Sequence, residues 1–584
     1  MRIKIRGFPK FVEDEGSRPC TLKDCSVVID GQNFFYYSYL KSQLPYVFGS
    51  EANQHAKYLV REKLNMFKEA NVKCYVLFRG GTRIMDEKIP NLYTTKFDFE
   101  SNYEYAAPVF LEDVCKQVLE EEENVNYATC ITESKDDCVA LAERLGCSVL
   151  SNDMSYCFRR VPYIPYNTLE SSLDGGGITC KQYDIKHFLK KYKLTERKLA
   201  IFVSLFDRSV FKEYYFSDLF NKWRISNKNW NQQCKNLFKW LSERSEAIIK
   251  NQILGFLKTD ADKKKFEDHI KKVLQCINND YNSIACDYLY EDLRPLVTHH
   301  DPLWFEKGVA AQYIAVPYIN MYKHKYIPGS RAIETKDSID SIMLSIDIIK
   351  YAYNLLNNFV TAPISVYQNA GNFTIEDSGD TIITKPEYEC DNVVFENGWE
   401  NLRNLGLFEH FLVQNGIDIS LIDEFSEEAR MLFIALIYFA RKKSSMNINV
   451  TKHVNCFIIC YVLLHEVFDE SIITREDAAE AIRVTERYFT YNKDEAKEIF
   501  DGDELKTLAE LQYCLLHMNY LNALCGKPYT ITKYHKTFNG TFVYKLLNDM
   551  QKHGDNNLIE SLFKQAPSVL NFINSLITTY NKGL

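Results

Sequence analysis

No apolar stretch in the 584-residue sequence approaches the ~20 residues that a membrane-crossing helix needs. Met431 to Ala440 and Val454 to Leu464 come nearest, but both are short and end in charged or polar residues, so they read as buried helices and no membrane partner is expected. The opening residues, Met1-Arg2-Ile3-Lys4-Ile5-Arg6-Gly7-Phe8, lack the apolar core and small-residue cleavage site of a secretory signal. Among 17 cysteines there is no Cys-x-x-Cys pair; Cys456 and Cys460 lie four apart on one helix face. Reduced, mostly buried thiols in an intracellular protein are expected, not a zinc site or a disulfide framework. Positive charge is also short. A net charge of −8 and a pI near 5.9 argue against a broad, non-specific grip on nucleic acid, which depends on basic surface to displace counterions. A local basic patch remains compatible with that balance. Gly175-Gly176-Gly177 is not followed by Gly-Lys-Ser/Thr, which makes it a connector and not a phosphate loop. No internal repeat is found.

Apolar residues make up 46% and charged residues 25%, values of a globular chain long enough for more than one domain. Aromatics reach 14%, with 38 Tyr and 37 Phe, which predicts aromatic-rich cores and patches. Four short runs up to residue 165 read as strands separated by helices: Ser26 to Asp30, Cys74 to Phe78, Ala128 to Thr132, and Cys147 to Ser151. Ala56, Leu59, Leu64, Phe67 and Ala70 line one side of a predicted helix over 53–70. Further helices are predicted over 114–122 and 134–145. Beyond the α/β part they are predicted over 181–193, 198–206, 229–257 and 261–276, and again from 335 onward. A polar, acidic stretch over 370–400 reads as a loop. The predicted organisation is therefore an α/β domain over 1–165, a helical region over 166–330, and a second helical region over 331–584.

Ligands bind at the carboxyl ends of strands in a parallel sheet. Those ends hold Asp30, Arg79-Gly80-Gly81, Glu133 and Asp153. Hydrolysis of a phosphodiester by two divalent ions needs several carboxylates converging on metals roughly 4 Å apart, and hard oxygen ligands suit Mg2+ or Mn2+. Helix-start chemistry alone also accounts for Glu133, Asp136 and Asp137, since the helix dipole favours acids in a first turn. Lys263-Lys264-Lys265 and Lys271-Lys272 are interleaved with acids and read as a solvated face.

Several motifs in this order resemble the asteroid family, a branch of the flap endonuclease and XPG-like nucleases built on a PIN-like α/β domain. They are Ile5-Arg6-Gly7-Phe8, Val27-Val28-Ile29-Asp30-Gly31, Tyr75 to Gly81, Glu133-Ser134-Lys135-Asp136-Asp137, and Val149 to Cys157. The likeness is strong over the first 165 residues and loose after, around Ile178 to Lys181 and Trp304 to Asn320. It implies that Asp30, Glu133 and Asp153 match metal-binding, catalytic acids. It also exposes departures. Arg79 stands where the family has Asp, while Lys135 and Ser155 replace the second acids of two pairs. A later expected acid has no clear match, with Asp207 or Ser209 nearby. A cation facing a cation at close range costs ~4 kcal/mol at an intermediate dielectric. Arg79 is expected to pair with a carboxylate beside Asp30 and Asp153, and Asp137, one turn from Glu133, is the candidate to compensate. The segment after Arg79, Asp98 to Tyr105, is acidic and aromatic; Lys88, Lys96, Arg159 and Arg160 are the candidate phosphate contacts.

Two readings follow. In one, a partly degenerate nuclease domain binds single-stranded or branched DNA, or a protein partner through its helical C-terminal half, and needs no metal. In the other, an active Mg2+- or Mn2+-dependent structure-specific endonuclease cuts single-stranded tails, flaps or overhangs. A nuclear location would follow only from a DNA role.

Overall fold

The computed structural model of the chain describes residues 4–49, 51–82, 108–171, 176–212, 214–278, 284–289, 301–329, 340–358, 364–368, 371–375, 394–465, 471–553 and 555–584. Its centre is an eight-stranded mixed sheet: β1 (Ser17–Leu22), β2 (Ser26–Asp30), β3 (Lys73–Phe78), β4 (Val125–Thr129), β5 (Ser148–Leu150), β6 (Tyr163–Ile164), β7 (Glu170–Ser171) and β8 (Ile178–Tyr183). The order is β1-β8-β6-β5-β2-β3-β4, with β7 paired to β8. Strands β6, β5, β2, β3 and β4 run parallel, while β1 and β8 pair antiparallel to close one edge. The expected α/β architecture with a large helical remainder is present.

The sheet is buried on both faces, and period-two alternation divides its residues between two cores. Val27, Ile29, Cys74, Val76, Phe78 and Leu150 face one side; Val28, Tyr75, Leu77 and Val149 face the other. The second side is covered by helices lying between Ile185 and Leu289, whose Phe188, Phe202 and Phe238 pack in an aromatic cluster with Phe8 and Phe11. The first side is continuous with the C-terminal helices, among them Glu427–Ser445 and Gly502–Leu524. Phe110 stacks on Tyr534 with ring centroids 4.1 Å apart, and Gln117 bonds Thr532 O and Tyr534 N. The C-terminal half therefore shares a core with the sheet.

Three local expectations are corrected. The predicted helix over 181–193 begins as strand β8: Ile178 and Cys180 turn into one core and Tyr183 into the other, and Asp184 then caps a helix over Ile185–Tyr192. The sheet thus continues past residue 165. The predicted helix over 229–257 is two, Trp230–Ser242 and Glu246–Phe256, because Ser245 adopts an extended backbone and caps the second. Part of the expected loop over 370–400 is a strand. Ile364–Gln368 and Gly371–Ile375 pair antiparallel, and the first also pairs with Tyr326–Pro328. Residues 376–393 of that stretch lie outside the described residues.

Candidate functional site

Asp30 ends β2 and caps α1 (Gly31–Ser42), accepting the Asn33 N–H at 3.3 Å. Ser151, just past β5, donates its hydroxyl to Asp30 at 3.0 Å and accepts the Asp153 N–H at 3.0 Å. One serine thus joins the ends of two adjacent parallel strands. Asp30 is 3% exposed. Burial pushes its pKa up to about 6, opposed by the Asn33 and Ser151 hydrogen bonds; the Asp153 charge adds to the rise and Lys135 subtracts from it. Gly31 lets α1 begin against β3, since a Cβ there would sit 2.9 Å from Leu77 O.

Asp153 caps the short turn Met154–Phe158 by accepting the Ser155 N–H at 2.9 Å. Its other oxygen meets Lys135 Nζ at 2.5 Å. Burial alone would raise this carboxyl, but the Lys135 charge and hydrogen bond, helped by Ser155, outweigh it and hold the pKa below the ordinary value. Lys135 opens the helix α2 (Lys135–Leu145) after β4, so the residue that replaces an expected acid reaches across to the acid that follows β5.

Arg79 pairs with Glu133 at 2.7 Å and also donates to Thr82 Oγ1 at 2.6 Å. Expected beside Asp30 and Asp153, it sits instead on the third acid. The cause is backbone pairing beyond β3 and β4: Gly80 N donates to Thr132 O at 2.7 Å and Gly81 N to Ile131 O at 2.9 Å. That zipper holds Arg79 alongside the residues leading to Glu133. Gly80 is required there, because a Cβ would lie 1.8 Å from Cys130 O. Glu133 remains open to solvent, its side chain 57% exposed.

Other candidates fall elsewhere. Asp137 is buried, and its carboxyl engages the Cys130 thiol. Arg159, proposed for phosphate, is 4% exposed, pairs with Asp136 at 2.7 Å and donates to Cys276 O at 2.9 Å. It is a buried tie between layers. Arg160 lies at the surface against Asn278 and Glu196. Asp207 is buried and accepts from Lys4 N, Ser209 and His269, a junction of the N-terminus with two helices. Lys88, Lys96 and the segment Asp98 to Tyr105 lie outside the described residues. Ser151 and Asn33, which accepts the Asn152 N–H at 2.7 Å, were not singled out from sequence. Their signal was weak: small polar residues beside a strand-end acid.

Glu133 and Asp153 are each committed to a cation, and Asp30 is buried with a raised pKa. Among the described residues no group of three or more His, Cys, Asp or Glu is placed to hold a metal ion. Among them, too, no helix is long and apolar enough to cross a membrane.

The class defined so far is an α/β protein with a polar, charge-paired cluster at the carboxyl ends of parallel strands. Its resemblance to the asteroid family is borne out by comparison with known proteins. The family profile described as Asteroid N-terminal domain matches residues 469–584, in the helical C-terminal half and not in the first 165 residues. The chain is 25% identical over 303 residues to "Single-strand DNA endonuclease ASTE1" of Danio rerio, covering 46% of this chain and 42% of that protein. It is 28% identical over 179 residues to the Homo sapiens protein of the same name, covering 28% and 26%. The matches thus span less than half the length of these relatives. Among solved structures, human GEN1 in complex with Holliday junction DNA aligns at 10% identity and a TM-score of 0.33, covering 60% of this chain and 80% of that one.

Proposed function

We propose that this chain is an asteroid-type, nuclease-related protein whose strand-end site binds without efficient cleavage, its target being structured DNA or a protein partner. The observation that carries this reading is the pair of ion bridges, Arg79 to Glu133 and Lys135 to Asp153. Each replaces the charge a divalent ion would bring, and each partner cation would repel an arriving ion. Chemistry there is limited to what the residues themselves do. Arg79, a third exposed, and Lys135 can each present N–H donors to a phosphate oxygen, exchanging a carboxylate partner for it. Ser151 holds Asp30 and Asp153 in register. The Mg2+ or Mn2+ that the family resemblance implies would supply an activated water.

The second reading, an active metal-dependent endonuclease on single-stranded tails, flaps or overhangs, draws support from the name of the curated relatives. A nuclear location belongs with either DNA role. The test is cleavage of labelled single-stranded, flap and overhang DNA in Mg2+ and Mn2+, beside an Asp30→Ala control, with DNA binding followed by fluorescence anisotropy. Binding without cutting is expected. Cutting that disappears in Asp30→Ala would overturn the proposal in favour of the second reading. Absence of both binding and cutting would leave the protein-partner arm, read by co-purification with the C-terminal half intact.

A further inference from the structure

At the β1 edge of the sheet, with β8, β6 and β5 between it and β2, two cysteines face each other. The antiparallel register of β1 and β8 places Cys20 directly opposite Cys180. Side chains of directly opposed residues project from the same face of an antiparallel pair. Their Cα atoms are then roughly 4.5–5.5 Å apart, inside the ~4.4–6.8 Å range that a disulfide accepts. The Cys180 thiol already leans toward its neighbour, 3.5 Å from Cys20 O and within reach of the Cys20 sulfur. β1 is an edge strand, and Cys20 is half-buried, where most cysteines among the described residues are buried. Pro19 and the exposed Arg18 and Thr21 keep another strand from adding there, so the edge stays open to small molecules.

We propose that Cys20 and Cys180 form a reversible cross-strand disulfide, a redox modification site whose co-reactant is a peroxide or a low-molecular-weight disulfide. With hydrogen peroxide, the Cys20 thiolate attacks one oxygen and becomes a sulfenic acid as water leaves. The Cys180 sulfur then displaces the hydroxyl from Cys20, its own proton leaving with it as a second water. Two thiols lose two electrons and two protons, and the peroxide is reduced to two waters. With glutathione disulfide, Cys20 forms the mixed disulfide and Cys180 releases the second glutathione thiol. The order is set by burial, which pushes the Cys180 thiol up to about 12 and keeps it protonated until its partner is activated. Cys25 lies near enough to feel the Cys20 charge, and Cys147 that of Cys25, so these are the competing thiols.

The bond would lock β1 onto β8. β1 leads through Lys23-Asp24-Cys25 into β2 and so to Asp30. The inference stands apart from the proposed function, since it needs neither DNA nor metal.

The test uses the whole chain, reduced, desalted and treated with hydrogen peroxide or oxidised glutathione under native conditions. Free thiols are then blocked with N-ethylmaleimide and the protein digested without reduction. The expected result is a cross-linked peptide joining Cys20 to Cys180, lighter than its parts by two hydrogens and split by dithiothreitol. In Cys180→Ser, oxidised glutathione should leave a stable adduct on Cys20. Should that variant fail to fold by circular dichroism, the wild-type peptide map decides alone. Finding Cys20 and Cys180 both blocked by N-ethylmaleimide after oxidation, or Cys20 joined to Cys25 or Cys147 instead, would overturn the proposal.

Discussion

Arg79 and Glu133 meet at 2.7 Å because the backbone beyond their two strands is zipped by Gly80 and Gly81. A cation thus sits on one strand-end acid, while a second cation, Lys135, reaches Asp153 from a helix start. If these bridges exclude divalent ions, reversing them should admit one. Arg79→Asp combined with Lys135→Asp and Ser155→Asp is expected to bind Mn2+ in isothermal titration where the unmodified chain does not. Failure of the triple variant, folded by circular dichroism, to bind Mn2+ would show that charge alone does not explain the site.

The Arg79–Glu133 pair is half open to water, and exposed pairs contribute about 0–1 kcal/mol. Arg79→Ala should therefore shift unfolding stability by less than ~1 kcal/mol. By contrast, the Arg159 side chain is buried and donates to Cys276 O, and Arg159→Ala should cost about 2 kcal/mol by removing that donor and the buried guanidinium. Urea titration of both variants checks the contrast; equal effects would refute it.

Asp30 carries its pKa from 3.8 up to about 6 in the fold. The folded state therefore binds a proton more readily than the unfolded chain between those values, and stability from this group falls as pH rises through them. Above pH 6 the buried charge opposes folding by up to about 3 kcal/mol. Asp30→Asn keeps an acceptor for Ser151 and Asn33, so it should stabilise the protein at pH 8 and lose that advantage below pH 4. Melting curves at the two pH values are the measurement, and an equal effect at both would contradict the assignment.

Gly80 has no room for a side chain. Gly80→Ala should destabilise by roughly 3 kcal/mol, because Cys130 O belongs to backbone that cannot retreat without opening the β3–β4 end. Gly146, in open space though with a left-handed backbone, is the control: Gly146→Ala should cost about 1 kcal/mol. Thermal melts of the two variants separate steric conflict from backbone preference.

What the sequence determined by itself was local and periodic. Apolar, β-branched runs ending in Asp30, Arg79, Glu133 and Asp153 could only bury themselves as strands, and residues 53–70 carried enough helical spacing to bury Ala56, Leu59, Leu64, Phe67 and Ala70. The placement of acids and substituted cations at strand ends was legible for the same reason. Which cation meets which acid was not. Lys135 reaches Asp153 from a helix start, and Arg79 reaches Glu133 because two glycines let backbones converge; neither contact leaves a mark in spacing along the chain. Arg159 and Asp137 read as surface or site charges until helices packed from distant parts of the chain enclosed them. β8 was hidden too, since its strand pairs with β1, more than a hundred residues away, and only that partner makes extended backbone better than another helical turn. Charge pairing and burial are decided by what arrives from elsewhere in the chain, and that is the work of the tertiary structure.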